Sequence, residues 1–225
     1  DTLSAADNYP ICCKETREAI LRICWSSDGS LYCGTTKGEV KLLNPTKNEA
    51  KLLNTFDDAI TGLKYLKSLS CLVVGTMHGE IFLLPTDSVP GDEEKKTCIY
   101  YSKDHLITDI GVGDSLIYVA TIKSLRVTGV IGTLPEPESN LVRLTLTNNE
   151  FKAAVVDKVV KLPISCLAVV SDRCWAVGYI NGQIEYCSGT SDETKVEKGH
   201  RVETGVKQMY TSNAVAISPE RHFLA

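Results

Sequence analysis

The phrase Cys33-Gly34-Thr35-Thr36-Lys37-Gly38-Glu39-Val40 returns as Val74-Gly75-Thr76-Met77-His78-Gly79-Glu80-Ile81, with both glycines displaced by 41 residues. A third copy stands at Val177-Gly178-Tyr179-Ile180-Asn181-Gly182-Gln183-Ile184. Each copy sets an apolar, strand-like run on either side of a short turn containing glycine, which is a hairpin signature. A period near 40 residues suits a repeat of four strands, and such a unit buries its apolar face only against a neighbouring unit. The chain is therefore expected to be a string of β repeats.

The segments between the copies fit this reading. Ala19 to Trp25 reads as a first strand, and Asp28-Gly29 supplies a turn pair that tolerates positive φ. Ser30 to Thr35 and Glu39 to Leu43 follow as strands; Asn44-Pro45 breaks the ladder, and Glu49 to Asn54 makes the fourth. The pattern restarts with Ala59 to Leu66, Ser70 to Gly75 and Glu80 to Leu84. A polar loop, Pro85 to Thr97, then leads to Cys98 to Tyr101. The third unit has lost the phrase, which reads Ala120-Thr121-Ile122-Lys123-Ser124. Its expected strands are Leu106 to Ile110, Ser115 to Thr121 and Leu125 to Ile131, with a further hairpin, Leu141 to Thr147 and Phe151 to Val156, around Asn148-Asn149. Ile164 to Val170, Cys174 to Gly178, Gln183 to Cys187 and Thr194 to Glu197 form a fourth unit; Ala214 to Ser218 and His222 to Leu224 open a fifth. No stretch over ten residues carries a 3.6-residue apolar stripe; the best helix candidate, Glu15 to Leu21, merges into the first strand.

Charge and cysteine usage narrow the function classes. A formal net charge of −4, with no basic run longer than Lys95-Lys96, argues against a surface built to neutralise nucleic-acid phosphates. No apolar run reaches the length of a membrane-spanning helix, and Asp1 to Pro10 does not read as a signal peptide. The nine cysteines include no Cys-x-x-Cys pair. Cys24, Cys33, Cys71, Cys98, Cys166, Cys174 and Cys187 fall in or beside apolar runs, as buried reduced thiols do.

No catalytic constellation stands out. His78, His105, His200 and His222 accompany no nucleophile phrase and read as solvated turn residues. Each Gly-x-x-x-Gly copy lies between two strands, with no helix N-terminus behind it, so nothing cradles a phosphate. Its first glycine is expected to allow close packing and its second to make the turn. Trp25 and Trp175 stand among apolar neighbours and read as core. The carboxylates Asp57-Asp58, Asp92-Glu93-Glu94 and Glu136-Pro137-Glu138 read as solvated loop charges. Among them Asp92, Glu93, Glu94, Glu136 and Glu138 are the candidate contacts for a basic partner surface. No catalytic, metal or cofactor-binding residue is assigned, and no cofactor is expected.

A strand, Ser-x-Asp-Gly, a second strand and then Gly-x-x-x-Gly-x-Val/Ile resembles the WD40-type β-propeller, here in Trp25-Ser26-Ser27-Asp28-Gly29 and again in Ala216-Ile217-Ser218-Pro219. The Trp-Asp dipeptide of that family is absent: its places read Leu42-Leu43, Leu83-Leu84 and Glu185-Tyr186. The resemblance implies an all-β WD40-like propeller with about four to five blades. Residues 1–18 would form an N-terminal segment that supplies a closing strand. Blades are expected at about 19–56, 57–103, 104–161 and 162–211, with a partial one at 212–225. More narrowly, Val73-Val74-Gly75, Phe82-Leu83-Leu84-Pro85, Pro163-Ile164-Ser165 and Ala214 to Pro219 with Phe223-Leu224-Ala225 are similar to the propeller subunit of transcription factor IIIC. That likeness implies a nuclear, non-catalytic scaffold in RNA polymerase III transcription, partnered by other protein subunits, with at most indirect DNA contact and no membrane or small-molecule substrate. Adaptor roles in vesicle coats, ubiquitin ligases or axonemes are alternatives within the same fold. Acetyltransferase activity, credited to some members, would need an Arg/Gln-x-x-Gly-x-Gly/Ala phrase; after Arg126 and Gly129 the required position holds Ile131. Four and a half blades leave unpaired strand edges, so closure is expected to need more chain, a partner, or a strand exchange between Ile11 to Lys14 and the last unit.

Overall fold

The computed structural model describes residues 18–44, 47, 49–88, 95–123, 139–147, 150–156, 162–189, 196–197 and 201–202. It is all-β, with four antiparallel sheets in chain order, each a blade of the propeller. Blade 1 is built from β1 (Ile20–Trp25), β2 (Leu31–Thr35), β3 (Glu39–Asn44) and β4 (Glu49–Thr55), paired in that order. Blade 2 holds β5 (Ile60–Leu66), β6 (Cys71–Thr76), β7 (Glu80–Pro85) and β8 (Thr97–Tyr101). Blade 3 holds β9 (His105–Val112), β10 (Leu116–Lys123), β11 (Ser139–Thr147) and β12 (Glu150–Val155). In blade 4, β13 (Ile164–Ser171), β14 (Cys174–Tyr179) and β15 (Ile184–Gly189) are joined by two short pieces, β16 (Val196–Glu197) and β17 (Arg201–Val202). Both pieces pair with β15 and are offset by one residue in register, so together they fill the place of a fourth strand. Among the described residues no helix is long and apolar enough to cross a membrane.

Blade 3 differs from its sequence reading. The strand expected at Leu125 to Ile131 lies outside the described residues, and the third place in the sheet belongs to β11, paired directly with β10 from Leu116↔Thr145 to Ile122↔Ser139. Blades 1, 2 and 4 make the corresponding link with a tight glycine turn; the eroded phrase at Ala120 to Ser124 has no glycine to make it. The expected fifth unit, Ala214 to Leu224, also lies outside the described residues.

The core sits between blades. Cys24, Tyr32, Val40, Leu53 and Phe56 of blade 1 pack with Ile60, Leu63, Leu72, Val74 and Leu84 of blade 2. A second cluster joins Leu66, Val73 and Ile81 to Ile107, Ile110, Val119 and Leu144 of blade 3. A third joins Tyr118, Ala120 and Leu141 to Ile164, Leu167, Trp175 and Val177 of blade 4. Close approach depends on the first glycine of the repeated phrase. A Cβ on Gly34 would lie 2.5 Å from Ile60 Cγ2, and one on Gly75 would lie 2.7 Å from Ile110 Cδ1. Side chains from the next blade therefore fill the space that those glycines leave.

The two tryptophans part company. Trp175 is 3% exposed and stacks against Tyr118 with ring centroids 5.5 Å apart. Trp25 is not core: it is 61% exposed. In β1 the strand alternation turns Cys24 toward blade 2 and Trp25 away from it, onto a face with no described blade against it.

Candidate interaction surface

The three Gly-x-x-x-Gly turns lie on one edge of the blades, and backbone hydrogen bonds hold the first two on both sides and the third on one. Gly38, Gly79 and Gly182 have φ of +81°, +92° and +80°, the left-handed region these turns require. Their N–H groups donate to Thr35, Thr76 and Tyr179 carbonyls at 3.3, 3.2 and 3.0 Å. Thr35 Oγ1 accepts from the Lys37 and Glu39 amides, and Thr76 Oγ1 accepts from Glu80 N–H. On one flank the Thr36, Met77 and Ile180 amides donate to Ala19, Ala59 and Pro163 carbonyls at 3.0, 2.9 and 3.0 Å. On the other, Phe56 and Ser102 amides donate to Gly38 and Gly79 carbonyls at 2.9 and 3.0 Å.

This repeated frame displays a different side chain at each blade. Lys37 is largely exposed and pairs with Glu18 at 2.6 Å; its ammonium holds the Glu18 carboxyl below its usual range, and its own pKa rises in return. His78 is also exposed and meets Asp58, with Met77 exposed beside it. Ile180 and Asn181 occupy the same places in blade 4. At the junction of blades 2 and 3, His105 is held through Nδ1 by Ser102 Oγ at 3.1 Å and through Nε2 by the Asn140 amide at 3.2 Å. It is therefore a fixed, half-buried residue rather than the solvated turn residue read from sequence. Blade position, not local composition, brings Glu18, Asp58 and Asn140 to these turns. Glu18 and Asp58 each stand in the segment just before the first strand of their blade, a signal visible only once the repeat is aligned.

The sequence-based candidates fall elsewhere. Asp92, Glu93, Glu94, Glu136 and Glu138 all lie outside the described residues. The structure gives the flanks of the first acidic run: Ser88 is buried before it, and Lys96 after it sits 5.4 Å above the Phe56 ring.

A second polar group lies along the inner strands. Asp109 accepts from the Leu167 amide of the next blade at 2.8 Å and from Ile110 N–H at 2.9 Å. Burial pushes its carboxyl up, against the pull of Lys64, these two amides and Arg22. Arg22 Nη2 reaches from blade 1 to the Thr108 carbonyl of blade 3 at 3.0 Å. The thiols are poor nucleophiles: burial raises Cys24 to about 12 and Cys71 to about 11, and raises Cys166 as well. Cys98, read from sequence as buried, is exposed on β8. Among the described residues no three His, Cys, Asp or Glu side chains are grouped to hold a metal ion.

Four sheets stacked face to face in chain order, each bonded in sequence order and meeting the next through its first strand (β1, β5, β9 and β13), define a β-propeller. Solved structures narrow that to the WD40 type. The chain superimposes on the β-propeller domain of Myceliophteria thermophila Cps50 (Swd1) with a TM-score of 0.66 at 14% identity, covering 92% of this chain and 65% of that one. It is similar to the Dos1 propeller, with a TM-score of 0.60 at 17% identity over 91% of this chain and 51% of that one. For the RRP9 WD40 repeats the TM-score is 0.55 at 11% identity, over 91% and 71%. The chain thus spans about two thirds of the first of these propellers and half of the second. No family profile and no curated protein matches the sequence.

Proposed function

We propose that the chain is a protein-interaction scaffold, an arc of propeller blades within a multiprotein assembly, and that it is not an enzyme. The observation that carries this reading is the turn edge, where one hydrogen-bonded frame presents Lys37, Met77-His78 and Ile180-Asn181 in succession. A rigid frame with unlike exposed side chains gives a partner a preorganised surface at little ordering cost. The acidic loops with Asp92 to Glu94 and with Glu136 and Glu138 are the second proposed contact, toward a basic surface of the partner.

In its most specific form the reading makes the chain a propeller subunit like that of transcription factor IIIC, working in the nucleus with the RNA polymerase III machinery. It rests on the quoted phrases and their order. DNA contact would be indirect, and neither a membrane nor a small-molecule substrate is involved.

Affinity purification of the native protein, with identification of the co-purifying subunits, tests both levels. The scaffold reading expects stoichiometric partners that Lys37→Glu combined with Met77→Asp removes, with the melting temperature unchanged. Recovery of RNA polymerase III assembly subunits supports the specific form; a different stable complex overturns that form alone. A purified chain with no partners at all, or one retained on duplex DNA with a steep salt dependence, overturns the scaffold reading.

A further inference from the structure

The outer edges of the four blades are not alike. In blade 1 the pairing of β3 with β4 slips between Val40 and Lys41, and in blade 2 that of β7 with β8 slips between Ile81 and Phe82. Blade 4 ends in the short pieces β16 and β17. Bulges and short strands are devices that keep a sheet edge from adding another strand. The outer edge of blade 3 has neither. Its strand β12 pairs with β11 in unbroken register from Thr147↔Glu150 to Val142↔Val155, and among the described residues it pairs with no other strand. All of β12 except Phe151 is exposed, Val155 to 58%.

The phase of the hydrogen bonds fixes which groups face outward. Val156 N–H donates to the Leu141 carbonyl at 2.8 Å. Bonding alternates along an antiparallel pair, so Ala154, Lys152 and Glu150 also turn their main-chain groups toward β11. Phe151, Ala153 and Val155 therefore aim their N–H and C=O groups at the open edge. None of these three side chains is charged. They share a sheet face with Val142, Leu144 and Leu146, and that face is apolar.

We propose that this edge pairs with a second copy of the chain, β12 against β12 and antiparallel, about a twofold axis through Ala153. Symmetry and bond pairing select that register. A twofold axis normal to a sheet keeps each side chain on its own face, so one residue must stand opposite its copy. With Ala153 on the axis, Ala153 exchanges both hydrogen bonds with its copy, and Phe151 exchanges both with Val155 of the second copy. Every outward group of both strands is then paired. An axis at Lys152 sets that ammonium directly opposite its copy, where like charges repel. An axis at Phe151 leaves Ala153 and Val155 facing positions before Glu150, where β12 begins. An axis at Ala154 leaves Phe151 facing a position beyond Val155, where β12 ends. In the Ala153 register Lys152 stands opposite Ala154 of the second copy, and the Phe151–Val155 pairs carry the apolar face from one chain into the next. The two copies of blade 3 become one continuous sheet. No turn-edge side chain takes part, so this contact is independent of the scaffold surface proposed above.

Size-exclusion chromatography with light scattering of the 225-residue chain tests the pairing, with Ala153→Pro as the matched variant. Proline at this position removes an N–H that faces outward and none that bonds β11, so the blade keeps its own ladder. The expected result is twice the chain mass for the parent. Ala153→Pro is expected at the single-chain mass, with a melting temperature within about 2 °C of the parent. A monomeric parent overturns the proposal, and so does a dimer that persists in Ala153→Pro. If Ala153→Pro melts far lower, Ala153→Cys decides. It sets two thiols across the axis at the roughly 5.5 Å Cα separation of a hydrogen-bonded pair, within disulfide reach. Aerobic copper–phenanthroline is expected to link the two introduced thiols, as mapped by peptide mass spectrometry. No link between them, or links only through the native cysteines, overturns the proposal.

Discussion

Two glycines separate backbone strain from steric exclusion. Gly29 and Gly38 have φ of +83° and +81°, but a Cβ on Gly29 meets nothing within 4 Å, whereas one on Gly38 runs into the Phe56 and Asp58 carbonyls. Gly29→Ala is expected to cost about 1–2 kcal/mol, the left-handed penalty alone. Gly38→Ala adds a backbone clash and should cost clearly more; urea titration of the two variants measures the difference. Asp109 gives a pH signature. Its carboxyl pKa is higher folded than unfolded, so the folded state holds the proton more tightly, and this residue favours folding increasingly as pH falls from neutral into the carboxylate range. Stability measured against pH, wild type minus Asp109→Asn, should therefore rise on acidification; a fall would contradict the raised pKa. Among the cysteines whose surroundings are described, Cys98 should be alkylated first by iodoacetamide at pH 8, since Cys24, Cys71, Cys166, Cys33 and Cys174 are buried. These roles were unequally legible. The turn glycines could be read from sequence because the turn is local. Asp109 could not, because its partners Leu167, Lys64 and Arg22 come from three other blades.

Strand elements are coupled across blades by single side chains. The carboxylate of Asp172, in the turn between β13 and β14, accepts from Ser115 N–H at 2.9 Å, Ser115 Oγ at 2.6 Å and Leu116 N–H at 3.0 Å, in the corresponding turn of blade 3. The Tyr118 hydroxyl donates to the Asp172 carbonyl at 2.8 Å. Asp172→Ala leaves the Ser115 and Leu116 donors without their acceptor, while the Tyr118 bond to the main-chain carbonyl stays, and is expected to cost about 1–3 kcal/mol. Amide exchange at Ser115 and Leu116 should accelerate in that variant while exchange in β6 does not change. Most strands of the four blades were visible in the alternation of apolar residues, since period two is a property of each strand alone. The third strand of blade 3 shows the limit: in sequence Leu125 to Ile131 alternates as well as β11 does, and only the pairing with β10 gives the place beside it to β11. Trp25 fails for a related reason, because an apolar residue in a strand is core only if another sheet faces it.

Across the whole molecule, protection should follow the stacking rather than the chain order. β6 and β14 are buried along their full length, whereas β1 is largely exposed. Native-state hydrogen exchange is therefore expected to be slowest in β6 and β14 and fastest, among the strands nearest the axis, in β1. Uniform protection of β1 and β6 in the isolated chain would show that the exposed face of β1 is covered. The seating of aliphatic side chains on glycine gives this stack a direction. Like the two ends of a polar filament, its ends are chemically distinct: one is all projection, and every described junction matches projection to recess. Two such arcs cannot meet projection to projection without leaving their bulky side chains opposed and their recesses empty. Any assembly that lengthens this arc through β1 is thereby restricted to one orientation, and a symmetric pairing of two β1 faces is disfavoured by shape before any charge is considered.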